Sequence, residues 1–248
     1  MFVNRERELA TLEAAYASQA AELYILYGRR RVGKTELLRQ FCQGKRHLFF
    51  IADLGTEANG LADFTRQMSL AIFGRVDALG PFASWDSALE FVAQQAQDER
   101  FVVVIDEFTY LGQVNPAIPS IFQRVWDAKL QRSRVMLILC GSYVGMMEKQ
   151  TLSYRAPLYG RRTAQWQLAP LAFADISLFF PHYSTEDRIR AYAVLGGIPA
   201  YLRQFDGQRS LLHNVEHRLL MAGTYLHEEP RLLLLQELSE AGRYFAIL

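Results

Sequence analysis

The stretch at residues 28–35, GRRRVGKT, has the residue types and spacing of a phosphate-binding loop, G-x-x-x-x-G-K-[ST], and lies between an apolar run and a helical pattern. Its glycines let backbone N–H groups approach phosphate oxygens, and the amino end of the helix attracts anions. Lys34 is placed to reach the β- and γ-phosphates, and the Thr35 hydroxyl to bind Mg²⁺. The sequence therefore predicts a site for ATP or ADP that is formed by Gly28, Arg31, Val32, Gly33, Lys34, Thr35 and Glu36.

The three consecutive arginines, residues 29–31, are not needed by this motif, because the loop amides and Lys34 suffice to hold the phosphates. They form a solvated basic loop, or one of them approaches the γ-phosphate or a partner. The formal net charge is only +1, so the protein as a whole has no field that attracts nucleic acid or an anionic membrane. Any basic binding site must therefore be local.

A second group of polar residues follows buried-strand patterns elsewhere in the chain. Asp106 and Glu107 end the apolar run FVVVIDE, where Asp106 can hold Mg²⁺ and Glu107 can orient or deprotonate an attacking water. This pair favours ATP hydrolysis, although two carboxylates in this position could also merely cap a loop. Ser142, after LILCG, could face the water or the γ-phosphate, or cap the helix that follows.

Hydrophobic periodicity places these motifs on a sheet. Short apolar runs at 22–28, 47–53, 101–107 and 134–142 predict four strands, and helical patterns alternate with them. This alternation predicts an α/β fold with a parallel sheet between two helical layers. Asn4 is expected to cap the first helix.

The pattern changes near residue 168, after which the segments are helical. We expect a phosphate-loop core at 1–168, a small helical domain at 169–235, and the start of a truncated or missing C-terminal module at 236–248. The longest apolar runs are too short to span a membrane, and Cys42 and Cys140 lack metal or redox spacing. The expected location is the cytoplasm, with no membrane partner.

With these residues in place, the chain resembles the archaeal-type ATPases, which belong to the STAND group of P-loop NTPases and are related to AAA+ proteins. The resemblance rests on the ordered set FVNRERELATL, YGRRRVGKTELLRQF, VVVIDEFTYL, LILCGSYVGMME, PLYGRRT and LGGIPAYL. It implies a three-layer αβα core with a C-terminal helical lid. It also implies Mg²⁺-dependent ATP hydrolysis coupled to movement of the lid.

The resemblance also implies roles for residues outside the phosphate loop. Asn4 and Arg5 should pack by the adenine or ribose, and Pro199 of GGIP should close over the nucleotide, unless it only breaks a helix. Arg161 and Arg162 should complete the site in cis or from a neighbouring subunit, where an arginine can stabilise transition-state charge. A plain surface pair is the alternative for these two arginines.

Three functions remain open at this point. The first is an ATPase acting as a switch or motor, and the second is a STAND-type switch or scaffold that holds ADP tightly and hydrolyses little. The third is a DNA-processing ATPase. Members of the family often continue into a winged helix and a nuclease-like domain, through which a protein or DNA partner would bind, and a homo-oligomer is also possible.

The HNVEH stretch, residues 213–217, formally matches a zinc-peptidase pattern, but an ordinary helix surface is the preferred interpretation.

Overall fold

The computed structural model describes residues 2–237. Its central feature is a sheet of five parallel strands in the order β2-β3-β4-β1-β5. The strands are β1 (Glu22–Tyr27), β2 (His47–Ile51), β3 (Phe101–Asp106), β4 (Val135–Gly141) and β5 (Ala164–Gln167). The predicted α/β fold is thereby confirmed.

The position of β4 matters most for the site. β4 pairs with β1 on one side, where Tyr27 is opposite Gly141, and with β3 on the other, where Ile105 is opposite Leu139. Every residue of β3 and β4 is buried, as expected for the aliphatic centre of a parallel sheet covered on both faces. Whatever follows β4 must consequently lie between the segments that follow β1 and β3.

Helices connect the strands, as the sequence predicts. They are α1 (Glu6–Ala17), α2 (Lys34–Cys42), α3 (Glu57–Phe73), α4 (Trp85–Gln95), α5 (Phe108–Val114), α6 (Ile118–Ala128) and α7 (Val144–Met147). An aromatic cluster packs α3, α4 and α6 to the sheet: the Phe50, Phe64 and Trp85 rings lie 5.3–6.0 Å apart, and Phe122 is 6.4 Å from Trp85. Such edge-to-face and tilted ring contacts add to the stabilisation from burying these large side chains.

Two details differ from the sequence-based expectations. The four-residue strand β5 was not predicted, because its sequence AQWQ is short and alternates half-buried with exposed residues at the edge of the sheet. Asn4 does not cap α1, since Arg5 occupies the N-cap position and its side chain makes no capping bond to the helix. Instead Asn4 has φ 38° and donates from Nδ2 to Asp175.

The internal contacts divide the described chain into two compact units. One contains residues 5–30 and 34–168, and the other contains residues 2–4, 31–33 and 169–237. The second unit is helical: α8 (Ile176–Phe179), α9 (Thr185–Leu195), α10 (Pro199–Leu202), α11 (Leu211–Asn214) and α12 (Tyr225–Glu237). The expected final module at 236–248 falls almost entirely outside the described residues.

The helical unit has its own apolar core, centred on Phe180, whose ring stacks on Tyr183 at 4.9 Å.

In the GGIP stretch, a Cβ on Gly197 would lie 1.9 Å from the carbonyl oxygen of Leu171. The N–H of Leu171 donates to the carbonyl oxygen of Gly197 at 2.7 Å. Glycine is therefore required there for packing. Pro199 begins α10, where its missing N–H costs nothing.

The HNVEH stretch also lies in this unit. The rings of His213 and His217 stack on each other at 4.2 Å. Residues 2–237 contain no group of three His, Cys, Asp or Glu side chains placed to hold a metal ion. Nor does this part of the chain include a helix long and apolar enough to cross a bilayer.

Candidate functional site

Lys34 is the centre of the candidate site. It begins α2, directly after the glycine-containing loop, and is only 4% exposed. Its Nζ donates to the carbonyl oxygens of Gly28 and Arg29 at 2.9 and 3.0 Å, and to the Ser142 hydroxyl at 2.8 Å. Burial lowers the pKa of Lys34, while the neighbouring Cys140, Glu107 and Asp106 partly oppose this effect. An anion beside this ammonium group would offset the cost of burying its charge.

The loop itself has the backbone conformation that phosphate binding needs. Gly28, Arg31 and Gly33 all have positive φ, of 155°, 67° and 101°. A Cβ on Gly28 would lie 2.5 Å from the carbonyl oxygen of Leu168, so only glycine fits beside the end of β5. Alternation of conformations of this kind points successive N–H groups into one concavity, which is an anion-binding arrangement.

Thr35 and Asp106 place two oxygen ligands together. Thr35 lies in the first turn of α2 and Asp106 ends β3, and the Thr35 hydroxyl donates to Oδ2 of Asp106 at 2.5 Å. Asp106 is 2% exposed, and its Oδ1 accepts the N–H of Glu107 at 3.0 Å. A hydroxyl and a carboxylate are the ligands that Mg²⁺ prefers, so these residues fit the predicted ion.

Glu107 and Ser142 are joined by two hydrogen bonds. The Ser142 hydroxyl donates to Oε1 of Glu107 at 2.6 Å, and its N–H donates to Oε2 at 3.2 Å. Glu107 has φ 54°, a left-handed conformation that costs a non-glycine residue on the order of 1 kcal/mol and is concentrated at functional sites. Tyr143 rather than Ser142 occupies the N-cap position of α7, so the helix-cap interpretation of Ser142 is wrong.

The sheet order explains why these residues meet. Because β4 lies between β1 and β3, Ser142 follows β4 at a position between Lys34, which follows β1, and Glu107, which follows β3. The result is a continuous chain of hydrogen bonds from Lys34 through Ser142 to Glu107. Ligands of open α/β sheets bind at the carboxyl ends of the strands, at this kind of switch in strand order.

The three arginines of the loop have different surroundings. Arg29 is exposed, which fits the solvated-loop interpretation. Arg30 donates to the Tyr110 hydroxyl at 2.6 Å, a contact that no motif in the sequence indicated. Arg31 pairs with the buried carboxylate of Glu229, and its guanidinium lies 4.9 Å from the centroid of the Tyr225 ring. Arg30 and Arg31 are therefore held by protein groups.

Arg161 and Arg162 lie at the amino-terminal end of the strands, opposite to the end that carries the phosphate loop. They precede β5, and the N–H of Thr163 donates to the carbonyl oxygen of Leu23, at the start of β1, at 2.9 Å. The phosphate loop follows the opposite end of this six-residue strand, about 17 Å away. Arg161 binds Asp127 through Nε and a terminal nitrogen at 2.8 and 2.7 Å. Completion of the site in cis by these arginines is thus not supported.

Four further residues were predicted to contact the nucleotide, and the structure gives their positions. Arg5 is 6% exposed and pairs with Glu8 at 3.0 Å, and Glu36 is exposed in the first turn of α2. Asn4 and Pro199 belong to the helical unit. Contacts of these residues with a nucleotide stay predictions.

Both cysteines should react slowly with alkylating reagents, because burial suppresses their thiolates. Burial raises the pKa of Cys42 to about 12 and that of Cys140, which also lies beside Asp106, well above its ordinary value. Only the thiolate is nucleophilic. Iodoacetamide at pH 8, followed by mass spectrometry, is expected to label neither residue in the folded protein and both in urea. Rapid labelling of Cys140 without denaturant would show that the end of β4 opens.

A parallel sheet with a phosphate loop after β1 and an acidic pair after β3 defines the P-loop NTPase fold. The chain belongs to the family described as an ATPase domain predominantly from Archaea, whose model matches residues 2–205. This confirms the resemblance to archaeal-type ATPases and supports nucleotide binding and ATPase activity in general terms.

Individual relatives agree with this assignment. The protein MJECL04 of Methanocaldococcus jannaschii is 32% identical over 250 residues, which cover 100% of this chain and 53% of that protein. The chain thus spans about half the length of this relative. The Walker-type ATPase PABY2304 of Pyrococcus abyssi has a TM-score of 0.61 and 22% identity, covering 87% of this chain and 72% of that one. The STAND protein PH0952 of Pyrococcus horikoshii, which carries a tetratricopeptide repeat sensor, has a TM-score of 0.52 and 12% identity, covering 82% and 29%. At these identities the two structures show the fold alone.

Proposed function

We propose that this chain binds ATP and hydrolyses it with Mg²⁺. The observation that carries the proposal is the convergence of Lys34, Thr35, Asp106 and Glu107 at the carboxyl ends of β1 and β3, where hydrogen bonds pair Thr35 with Asp106 and join Lys34 to Glu107 through Ser142. Family membership supports the general activity. The roles of the individual residues are our proposal.

Each residue has a distinct task in this scheme. Lys34 and the loop amides bind the phosphates, and Lys34 exchanges its carbonyl partners for phosphate oxygens. Thr35 and Asp106 would hold Mg²⁺, which supplies charge neutralisation at the phosphates when bound. Glu107 accepts a hydrogen bond from the attacking water and orients it toward the γ-phosphate. Ser142 positions the Glu107 carboxylate.

A switch with slow hydrolysis is a second candidate, and the Ser142–Glu107 pair favours it. Both oxygens of the Glu107 carboxylate accept hydrogen bonds from Ser142. These bonds fix the carboxylate in one orientation, in which each oxygen keeps a second lone pair that can accept a hydrogen bond from water. If that orientation does not direct water to the γ-phosphate, turnover would depend on a change around Ser142, as in a protein that holds its nucleotide until a partner acts.

We further propose that the helical unit responds to the nucleotide as a lid. Residues 31–33, in the middle of the phosphate-loop motif, belong to this unit by their contacts, and Arg31 pairs with Glu229 of α12. A change in the loop on binding is therefore connected directly to the helical unit. ATP and ADP can bias two arrangements of the lid only if they interact differently with each. The contact of Pro199 with the nucleotide is part of this proposal.

Partners beyond the nucleotide also stay proposals. Arg161 or Arg162 could act from a neighbouring subunit of a homo-oligomer. A protein or DNA partner could act through the part of the relatives' length that this chain does not span. Binding of DNA through exposed arginines would weaken steeply as the salt concentration rises, whereas a flat response would argue against it.

The proposed function is tested by the Mg²⁺ dependence of ATP turnover. Asp106→Asn should raise the Mg²⁺ concentration for half-maximal rate by about tenfold or more, because one charge-assisted contact is lost. Phosphate release would be measured across a Mg²⁺ titration and with excess EDTA. Asp98→Asn is the matched control, since Asp98 is an exposed carboxylate after α4. An unchanged Mg²⁺ dependence in Asp106→Asn would remove Asp106 from the metal site.

A further inference from the structure

The outer side of strand β2 is a free sheet edge. β2 is terminal in the strand order, and no strand in residues 2–237 pairs with its outer side. On the inner side, Ala52 N–H donates to Asp106 and Val102 N–H donates to Arg46, so the even-numbered residues of this segment face β3. Because backbone direction alternates along a strand, His47, Phe49 and Ile51 direct their N–H and C=O groups away from β3. These groups are available to a further strand.

A cleft of about 550 Å³ lies along this edge. Arg39 and Cys42 of α2 form one wall, and Asp63, Arg66 and Gln67 of α3 form the other, with β2 at the base. Its volume is within the range of sites that bind ligands. A strand added 4.7–4.9 Å from β2 would lie in this cleft, with its side chains alternating between the two helices.

The chemistry of the walls indicates which strand would fit. The Arg39 guanidinium lies 5.7 Å from the centroid of the Phe49 ring, and no carboxylate of the described chain lies within ion-pair distance of it. On the other wall, Arg66 is 64% exposed and pairs with Asp63. Ile51 is 50% exposed at the end of β2. Proteins generally cover or block such edges, so an arginine on each wall of an open one favours a segment with carboxylates on both of its faces.

We propose that the outer edge of β2 is a docking site for an extended, acidic segment of a partner protein. The segment adds to the sheet as a further strand, and its main chain bonds the outward N–H and C=O groups of Phe49 and neighbouring residues. Its carboxylates bind Arg39 on one side and Arg66 on the other, which gives the site its selectivity. This interaction is independent of the nucleotide site.

The first test is binding of a fluorescein-labelled eight-residue peptide, Glu-Glu-Val-Val repeated twice, which carries Glu on both faces of a strand. Binding would be followed by fluorescence anisotropy. Arg39→Glu and Arg66→Glu should each weaken binding by at least about tenfold. Arg75→Glu is the matched control, because it makes the same charge change at an exposed arginine outside the cleft. Equal binding of the matching Lys-Lys-Val-Val peptide, or no binding of the acidic peptide up to about 1 mM, would overturn the proposal.

The second test locates the peptide by amide hydrogen exchange. The amides of His47, Phe49 and Ile51 should exchange more slowly with peptide present, whereas those of Leu48 and Phe50 face β3 and should not change. Binding without this alternating protection would overturn strand addition. A concentration-dependent dimer that protects the same amides and excludes the peptide would instead assign the edge to a second copy of this chain.

Discussion

Replacing Lys34 with alanine is expected to weaken ATP and ADP binding by at least about 100-fold. Lys34 is the buried ammonium group that faces the loop, and its loss removes charge-assisted bonds to the phosphates worth about 1.5–3 kcal/mol each. Titration calorimetry would measure the change in affinity. Lys149→Ala, at an exposed lysine after α7, is the control. Unchanged nucleotide affinity in Lys34→Ala would refute the proposed site.

The same residue gives an independent signature in stability. Burial lowers the pKa of Lys34 from 10.5, so between the lowered value and 10.5 the unfolded chain binds more protons than the folded one. The free energy of unfolding contributed by this group therefore rises with pH in that window. Urea unfolding without nucleotide should show this rise in the wild type and less of it in Lys34→Met. An identical pH dependence in both proteins would mean that Lys34 is not desolvated.

Replacing Glu107 with glutamine is expected to lower the ATP turnover rate by about 10²- to 10⁴-fold while ATP still binds. The amide cannot accept the proton of the attacking water, but it keeps the size of the side chain and can still bond Ser142. Steady-state phosphate release and nucleotide affinity would be measured for the wild type, for Glu107→Gln and for Glu99→Gln, an exposed control.

The outcome also separates the two proposed functions. Turnover that is lost only in Glu107→Gln would establish Glu107 as the residue that acts on water, and a rate per subunit that rises with protein concentration would support an arginine from a neighbouring subunit. Turnover that is negligible in the wild type, with ATP bound, would favour the switch. Full activity in Glu107→Gln would exclude Glu107 from the chemistry.

The part of the site that is local in the chain could be predicted best from the sequence. The phosphate loop occupies eight consecutive residues, and the strand before it and helix after it could be predicted from hydrophobic periodicity. Asp106 and Glu107 end one apolar run, and the phosphate loop follows another. In one parallel sheet, the ends of these two strands lie at the same side, which predicts that the pair is near the loop. The Thr35–Asp106 hydrogen bond joins residues from these two segments.

The contacts that could not be predicted depend on how segments distant in the chain are arranged. The order of the strands has no local signal, so the bonds from Ser142 to Glu107 and Lys34 could not be predicted. The motif PLYGRRT resembles family sequences but does not reveal at which end of the strands it lies. Asp127 holds Arg161 at the amino-terminal end. The partners of Arg30 and Arg31, Tyr110 and Glu229, are 80 and 198 residues distant in sequence and belong to no motif.

The strand order also has a consequence for how this chain is made. β1, which leads into the phosphate loop, has β4 and β5 as its neighbours. Tyr24, for example, cannot pair until Ile138 and Ala164 have been translated. As the chain emerges from a ribosome, this largely apolar strand stays unpaired while more than a hundred further residues are translated, and exposed strands of this kind favour aggregation. The pairing of β2 with β3 needs a shorter loop closure and can precede it. Competence to bind nucleotide therefore marks the end of sheet assembly, and bound ATP or ADP would stabilise only chains that have completed it.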